Sequence, residues 1–194
     1  GTLLILLGGQ VNPLWQTPIV PLLYLLSAVL MGYGVVLFES CLASAAYRRE
    51  IETHMLGPMA KVMLGMLGVY LVVRVGDLTV RGAWGNAFSF GLVATFFWIE
   101  MIMFCLPFAL IGTVEARRNP ARLFLGGTAI MLGGSLLRLN GYLIGYDTGQ
   151  GWRYFPSIPE LLVTFGMTAV AVLGFIVVTR LFPVLPREEV TAAH

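Results

Sequence analysis

Long apolar runs separated by short polar breaks make up almost the whole chain. Residues 19–38, 82–99, 123–137 and 161–179 contain no Asp, Glu, Lys or Arg. Runs of this length match the roughly 20 apolar residues that a helix needs to cross a hydrocarbon core. Together with the turn signals between them they predict five spanning helices, at about 18–47, 57–80, 87–114, 121–146 and 157–182. "NPLWQTP" precedes the first and Gly57-Pro58 opens the second. "RGAWGN" and "RRNP" bracket the third, and "DTGQGWRYFPSIP" leads into the fifth. Ahead of them, "GTLLILLGGQVNP" has neither an initiator Met nor a basic segment, so it is not a signal peptide. Residues 1–9 read as the end of a helix that began earlier, and the chain as the C-terminal part of a longer protein. Residues 10–183 then form the transmembrane region and 184–194 a tail. The predicted class is all-α integral membrane, with five full spans plus the end of a preceding one.

Composition agrees. Of 194 residues 58% are apolar and only 11% charged, against about 25% charged in soluble domains. The charges that remain sort by side. Arg48, Arg49, Lys61, Arg117, Arg118, Arg122, Arg180 and Arg187 fall on one side of the predicted spans, Arg81 and Arg153 on the other. By the positive-inside rule the first side is cytoplasmic, and with it the C-terminus. Trp15, Trp84, Trp152, Tyr146 and Tyr154 lie on the opposite side, as an interfacial aromatic belt would. A net charge of +2 without a basic, aromatic-interleaved patch argues against nucleic acid as a partner. Cys41 and Cys105 sit in apolar segments, as buried small hydrophobes do.

Besides Lys61, Arg122 and Arg180, already sorted to the basic side, six acidic or basic side chains fall inside the predicted spans: Glu39, Arg74, Asp77, Glu100, Arg138 and Glu160. Each costs roughly 2.5–3.5 kcal/mol at mid-membrane, so such residues face a bundle interior or a wet cavity. At about 1.5 Å per residue, Glu160 and Asp77 lie near the outer ends of their helices and Arg74 and Arg138 deeper. Glu100 is near the middle and Glu39 in the inner half, with Tyr33, Tyr70, Asn140 and Tyr142 available between them. The plain reading is structural pairing, Arg74 with Asp77 at i, i+3 and Arg138 with Glu100 or Glu160. That reading leaves four carboxylates against two arginines. At least two must be protonated, hydrated or paired elsewhere, which is the material of a proton path.

Other chemistries lack their residues. A b-type haem takes axial ligands, usually histidines from facing helices, and the chain has only His54, in a predicted loop, and His194 at the end. There is no cysteine cluster, metal-ligand set, catalytic triad or phosphate loop. Gly65, Gly68, Gly126, Gly127, Gly133 and Gly134 read as helix contact points. From these residues alone, a redox-complex subunit and a small proton- or ion-coupled transporter remain open.

Five ordered strings add a resemblance: "VNPLWQTP" (11–18), "FESCL" (38–42), "RVGDL" (74–78), "FWIE" (97–100) and "RYFPSIPELLVT" (153–164). Together the chain resembles the C-terminal half of the NrfD/polysulfide reductase membrane-subunit family, nearest to HybB-like subunits of nickel–iron hydrogenases and DsrP-type relatives. The resemblance implies most of the second bundle of a haem-free subunit, often labelled cytochrome b, in the bacterial inner membrane. It also implies a subunit that is not catalytic alone and is quinone-reactive within an oxidoreductase complex. In the full-length subunit electrons would pass between the menaquinone pool and a periplasmic ferredoxin-like iron–sulfur subunit, with nickel–iron hydrogenase or multihaem cytochrome subunits as further partners. The quinone pocket lies mainly in the other half, so the resemblance places no quinone ligand here. It carries Glu39 and Glu100 to acidic family positions proposed to conduct protons. Asp77, Glu160, Arg74 and Arg138 fall on charged family positions. The family often has His where this chain has Asn12.

Overall fold

The computed structural model describes residues 5–6, 8–47, 53–89, 91–147 and 157–181. Arg48, Arg49, Trp152, Arg153, Tyr154, most of the predicted preceding helix end and the 184–194 tail lie outside them. The chain divides into two units, 1–153 and 154–194. The first holds four long helices, α1 (Val20–Tyr47), α2 (Thr53–Val80), α3 (Leu92–Ile111) and α4 (Pro120–Leu139), with α4 continuing as one π-helical stretch, Asn140–Ile144. All four are long and apolar enough to cross a membrane. At about 1.5 Å per residue even α3, with 20 residues, spans about 30 Å. The second unit holds one helix, α5 (Ile158–Leu181), with Glu160 in its first turn. The described residues therefore support a multi-pass membrane protein with four spans, while α5 stands in a unit of its own.

The helix ends differ from the sequence expectation for local reasons. α2 starts at Thr53 and runs through Pro58. Proline there, just past the first turn, forgoes the bond to the His54 carbonyl and crowds that carbonyl with its ring, a strain confined to the start of a long helix. α3 starts at Leu92, after a separate turn of helix at Trp84–Ala87. α4 starts at Pro120, where the Asn119 side chain accepts from the backbone N–H of Ala121 (3.0 Å) and Arg122 (3.4 Å). An Asn cap followed by proline in the first turn is a strong helix start.

Neighbouring helices in the first unit run antiparallel, and α4 makes the most extensive contacts, with α1 on one side and α3 on the other. Its glycines explain how it serves both. Gly127 and Gly134 face α1: a Cβ at Gly127 would lie 2.8 Å from the Gly34 carbonyl oxygen, and one at Gly134 would overlap Met31. Gly126 and Gly133 face α3, against Ile111 and Phe104. Two stripes, each repeating at seven residues and offset by one, seat two helices on one. Phe38 stacks on Phe124 (4.9 Å) along the first seam. The expectation fails at Gly65, which is exposed and where an added Cβ would meet nothing within 4 Å, while a Cβ at Gly68 would lie 4.0 Å from the Phe108 ring. Cys41 is buried but Cys105 is exposed on α3, so only one cysteine behaves as a core residue.

Candidate functional site

Glu100 lies fully buried at the middle of α3, and three other parts of the first unit reach it. Arg74 of α2 donates from Nη2 to Oε1 at 3.5 Å. Asn140, at the first position of the π stretch, donates from Nδ2 to Oε2 at 2.8 Å. The indole N–H of Trp15, in the loop before α1, donates to the same oxygen at 3.0 Å. A carboxylate with one cationic and two neutral donors is well satisfied, and charge-assisted bonds of this kind are the strong ones. Arg74 also lies over the Phe97 ring at 5.8 Å. Beside it Tyr70 packs on Phe104 at 4.6 Å. Three buried atoms here, Tyr70 Oη, Arg74 Nε and Asn140 Oδ1, have no hydrogen-bond partner among the described residues. Buried polar atoms are rarely left that way, so this is a place where further polar ligation is wanted.

The loop before α1 is folded inward to bring Trp15 to this point. Asn12 makes a side-chain turn, its Oδ1 accepting from the Leu14 N–H at 3.1 Å, while its carbonyl accepts from Trp15 and Gln16. Its own N–H donates to the Gly145 carbonyl at 2.6 Å, and Val11 pairs antiparallel with Tyr146. Gly145 must be glycine, because a Cβ there would lie 2.7 Å from the Trp15 ring. Trp15 is therefore not part of an interfacial belt. It is 2% exposed and belongs to the core. Beside this loop, Gln10, Asn12, Val93, Gly145 and Asp147 help to line a cavity of about 380 Å³.

The other expected charges are placed differently from the sequence reading. Asp77 does not pair with Arg74. It binds Arg81, one turn further on, from Nε (3.0 Å to each oxygen) and Nη2, and accepts from the Thr17 hydroxyl at 2.6 Å. Arg81 Nη1 in turn donates to the Pro13 and Gln16 carbonyls, so this group clamps the Trp15 loop. The sequence reading left Arg81 in a loop, although its i, i+4 spacing from Asp77 is a usable signal. Trp15 and Thr17 had no comparable local signal.

Arg138 does not neutralise Glu100. Its Nη1 donates to the Gly134 carbonyl (2.7 Å) and contacts Met31 Sδ, and its guanidinium lies 5.6 Å from the Tyr24 ring centre. Glu39 is exposed on α1. Glu160 belongs to the second unit and is described with α5 alone. Tyr33 is half-buried against the core, and Tyr142 is exposed, edge-on to Tyr24. Among the described residues the structure thus gathers Arg74, Glu100, Tyr70, Asn140 and Trp15 into one centre and leaves Glu39 outside it.

Comparison with known proteins places this architecture. The family model "Polysulphide reductase, NrfD" matches residues 5–146. The "Probable Ni/Fe-hydrogenase 2 b-type cytochrome subunit" of Escherichia coli (strain K12) is 33% identical over 189 residues, covering 96% of this chain and 48% of that protein. A protein of Nitratidesulfovibrio vulgaris is 25% identical over 208 residues, covering 100% of this chain and 52% of its own. The chain spans about half the length of the curated relatives it matches. No solved structure matches it. With most of its length, the whole Glu100 centre included, inside the matched region, the chain belongs to the polysulphide reductase NrfD family.

Proposed function

We propose that the chain is part of a haem-free membrane subunit of a respiratory redox complex, hydrogenase-linked, through which electrons pass between an outer-face iron–sulfur subunit and the menaquinone pool. The observation that carries this reading is the Glu100 centre, a carboxylate at mid-depth of an NrfD-family bundle with unsatisfied polar atoms around it. Quinone reduction takes up protons with electrons. The part assigned to this chain is to hold and exchange a proton at Glu100, with Tyr70 Oη and Asn140 Oδ1 as hydrogen-bonding continuations and Arg74 setting the charge balance. Asp77 serves the loop clamp instead. Glu39 and Glu160 are assigned as outlying rungs, to be completed by the rest of the subunit.

The name of the Escherichia coli relative includes a b-type cytochrome. Haem of that kind takes axial ligands, usually His, from facing helices. Of the chain's two histidines, His54 is exposed in the first turn of α2 and His194 lies outside the described residues. This donor set does not fit a haem held between two histidines of the described bundle. Nor do the described residues hold a metal-ligand cluster.

The test is the complex purified from its native membrane, its subunits identified and its donor-driven quinone reduction measured. An iron–sulfur partner is expected. Glu100→Gln is expected to assemble, in a less stable form, and to slow turnover by about 100-fold, the low end for a lost acid–base group. Normal turnover in an assembled Glu100→Gln complex would return Glu100 to a purely structural role. Transport of ions by the isolated chain in liposomes, with no partner subunit, would favour a transporter.

A further inference from the structure

The end of the first unit away from the Trp15 loop carries a second feature. The start of α2 and the connection between α3 and α4 enclose a pocket of about 570 Å³, whose lining includes His54, Lys61, Arg117, Arg118 and Val114. Two guanidiniums, an ammonium and an imidazole converge there, and among the described residues no carboxylate lines it. Glu115, in the same connection, does not line it. Arg117 is fixed by its own bonds, with Nη1 donating to the carbonyls of Ile111 (3.1 Å) and Gly112 (2.9 Å) at the end of α3. A guanidinium has five donors, so these bonds orient it without exhausting it. The first turns of α2 approach closely, a Cβ at Gly57 lying 4.0 Å from the Arg117 carbonyl oxygen. Thr53, at the N-terminus of α2, is also part of the wall, adding the positive end of a helix dipole.

Position selects among anions. The pocket lies where two apolar helices, α2 and α3, reach the end of their spans. Exposed apolar side chains flank it: Met55 and Val62, next in sequence to His54 and Lys61, and Val114 in the wall itself. A phosphate among the cations with hydrocarbon lying along α2 satisfies both surfaces. Basic pockets between membrane helices bind acidic headgroups on this principle. We propose that this pocket binds the phosphate of an anionic phospholipid, independently of the redox reading.

The experiment is native mass spectrometry of the full chain in neutral detergent. It is titrated separately with phosphatidylglycerol, phosphatidylcholine and inorganic phosphate. Phosphatidylglycerol is expected to bind in preference to phosphatidylcholine. Lys61→Gln/Arg118→Gln is expected to weaken it about 25-fold, the effect of two basic groups near a membrane surface. Arg122→Gln, an exposed arginine outside the pocket wall, is expected to stay within about twofold. Should the double variant lose its helical circular dichroism, Arg118→Gln alone is read, with about a fivefold loss expected. Equal binding of phosphatidylcholine, or undiminished binding by the variants, overturns the proposal. Inorganic phosphate binding as tightly as phosphatidylglycerol also overturns it, since the site would then serve a free anion.

Discussion

Removing one charge at a time from the Arg74–Glu100 pair gives the sharpest test of the buried centre. The two side chains are 1% and 0% exposed, and their closest atoms are 3.5 Å apart. Arg74→Met keeps much of the volume and leaves the carboxylate with only Trp15 and Asn140. Glu100→Gln keeps the shape, and its amide oxygen still accepts from Trp15 and Asn140, but the amide nitrogen then faces a guanidinium. Stripping one partner from a buried pair costs about 3–5 kcal/mol, because an uncompensated charge remains. Combining Arg74→Met with Glu100→Gln removes both charges while keeping an acceptor for the two neutral donors, and is expected to cost about 0–2 kcal/mol. The cycle should therefore show a coupling of several kcal/mol, the double variant being far more stable than the two single effects summed. Unfolding of the purified chain in mild detergent by sodium dodecyl sulfate, followed by tryptophan fluorescence, measures all four proteins. Additivity to within about 0.5 kcal/mol would mean that the two charges do not act as a pair.

Further outcomes follow from particular side-chain environments. Gly127→Ala should cost about 1–3 kcal/mol by forcing α1 from α4, whereas Gly65→Ala, in open space, should stabilise α2 by about 0.5–1 kcal/mol; detergent melting of both compares them directly. Trp15→Phe keeps a ring but loses the donor to Glu100, and should cost about 1.5–3 kcal/mol, the worth of a hydrogen bond to a charged group, read from the same denaturation curves. Asn119→Ala should cost about 1 kcal/mol through loss of the α4 cap, visible as a lower unfolding midpoint. Asp77→Asn should release the Trp15 loop and raise its susceptibility to proteolysis near Pro13 and Gln16, while leaving the helix content seen by circular dichroism unchanged.

The spans were legible because hydrocarbon imposes a coarse rule, an apolar run of fixed length, that the chain satisfies four times in its first unit. The glycine stripes of α4 were legible for a related reason, since close helix contact in lipid needs small residues. Which charge meets which was not. Arg74 and Asp77 share a helix at i, i+3, yet the roughly 60° between their directions separates the bundle interior, where Arg74 finds Glu100, from the loop side, where Asp77 finds Arg81 and Thr17. Local spacing cannot weigh a partner on the next helix against one on the same helix. Trp15 shows the same limit. A tryptophan in a polar, proline-flanked segment suits an interface by composition. Its burial is decided by the Asn12 turn and by a missing Cβ at Gly145, some 130 residues away in sequence.

The Arg74–Glu100 pair also bears on how the chain enters the bilayer during synthesis. Each charge raises the cost of inserting its own helix by roughly 2.5–3.5 kcal/mol. α2 would have to carry Arg74 into lipid before its partner existed if helices were released singly. The two residues lie on consecutive antiparallel helices joined by a short connection, 81–91, so a waiting α2 can meet Glu100 as soon as α3 emerges. Biogenesis of this protein therefore favours handing α2 and α3 to the lipid together, as a hairpin whose charges are already matched.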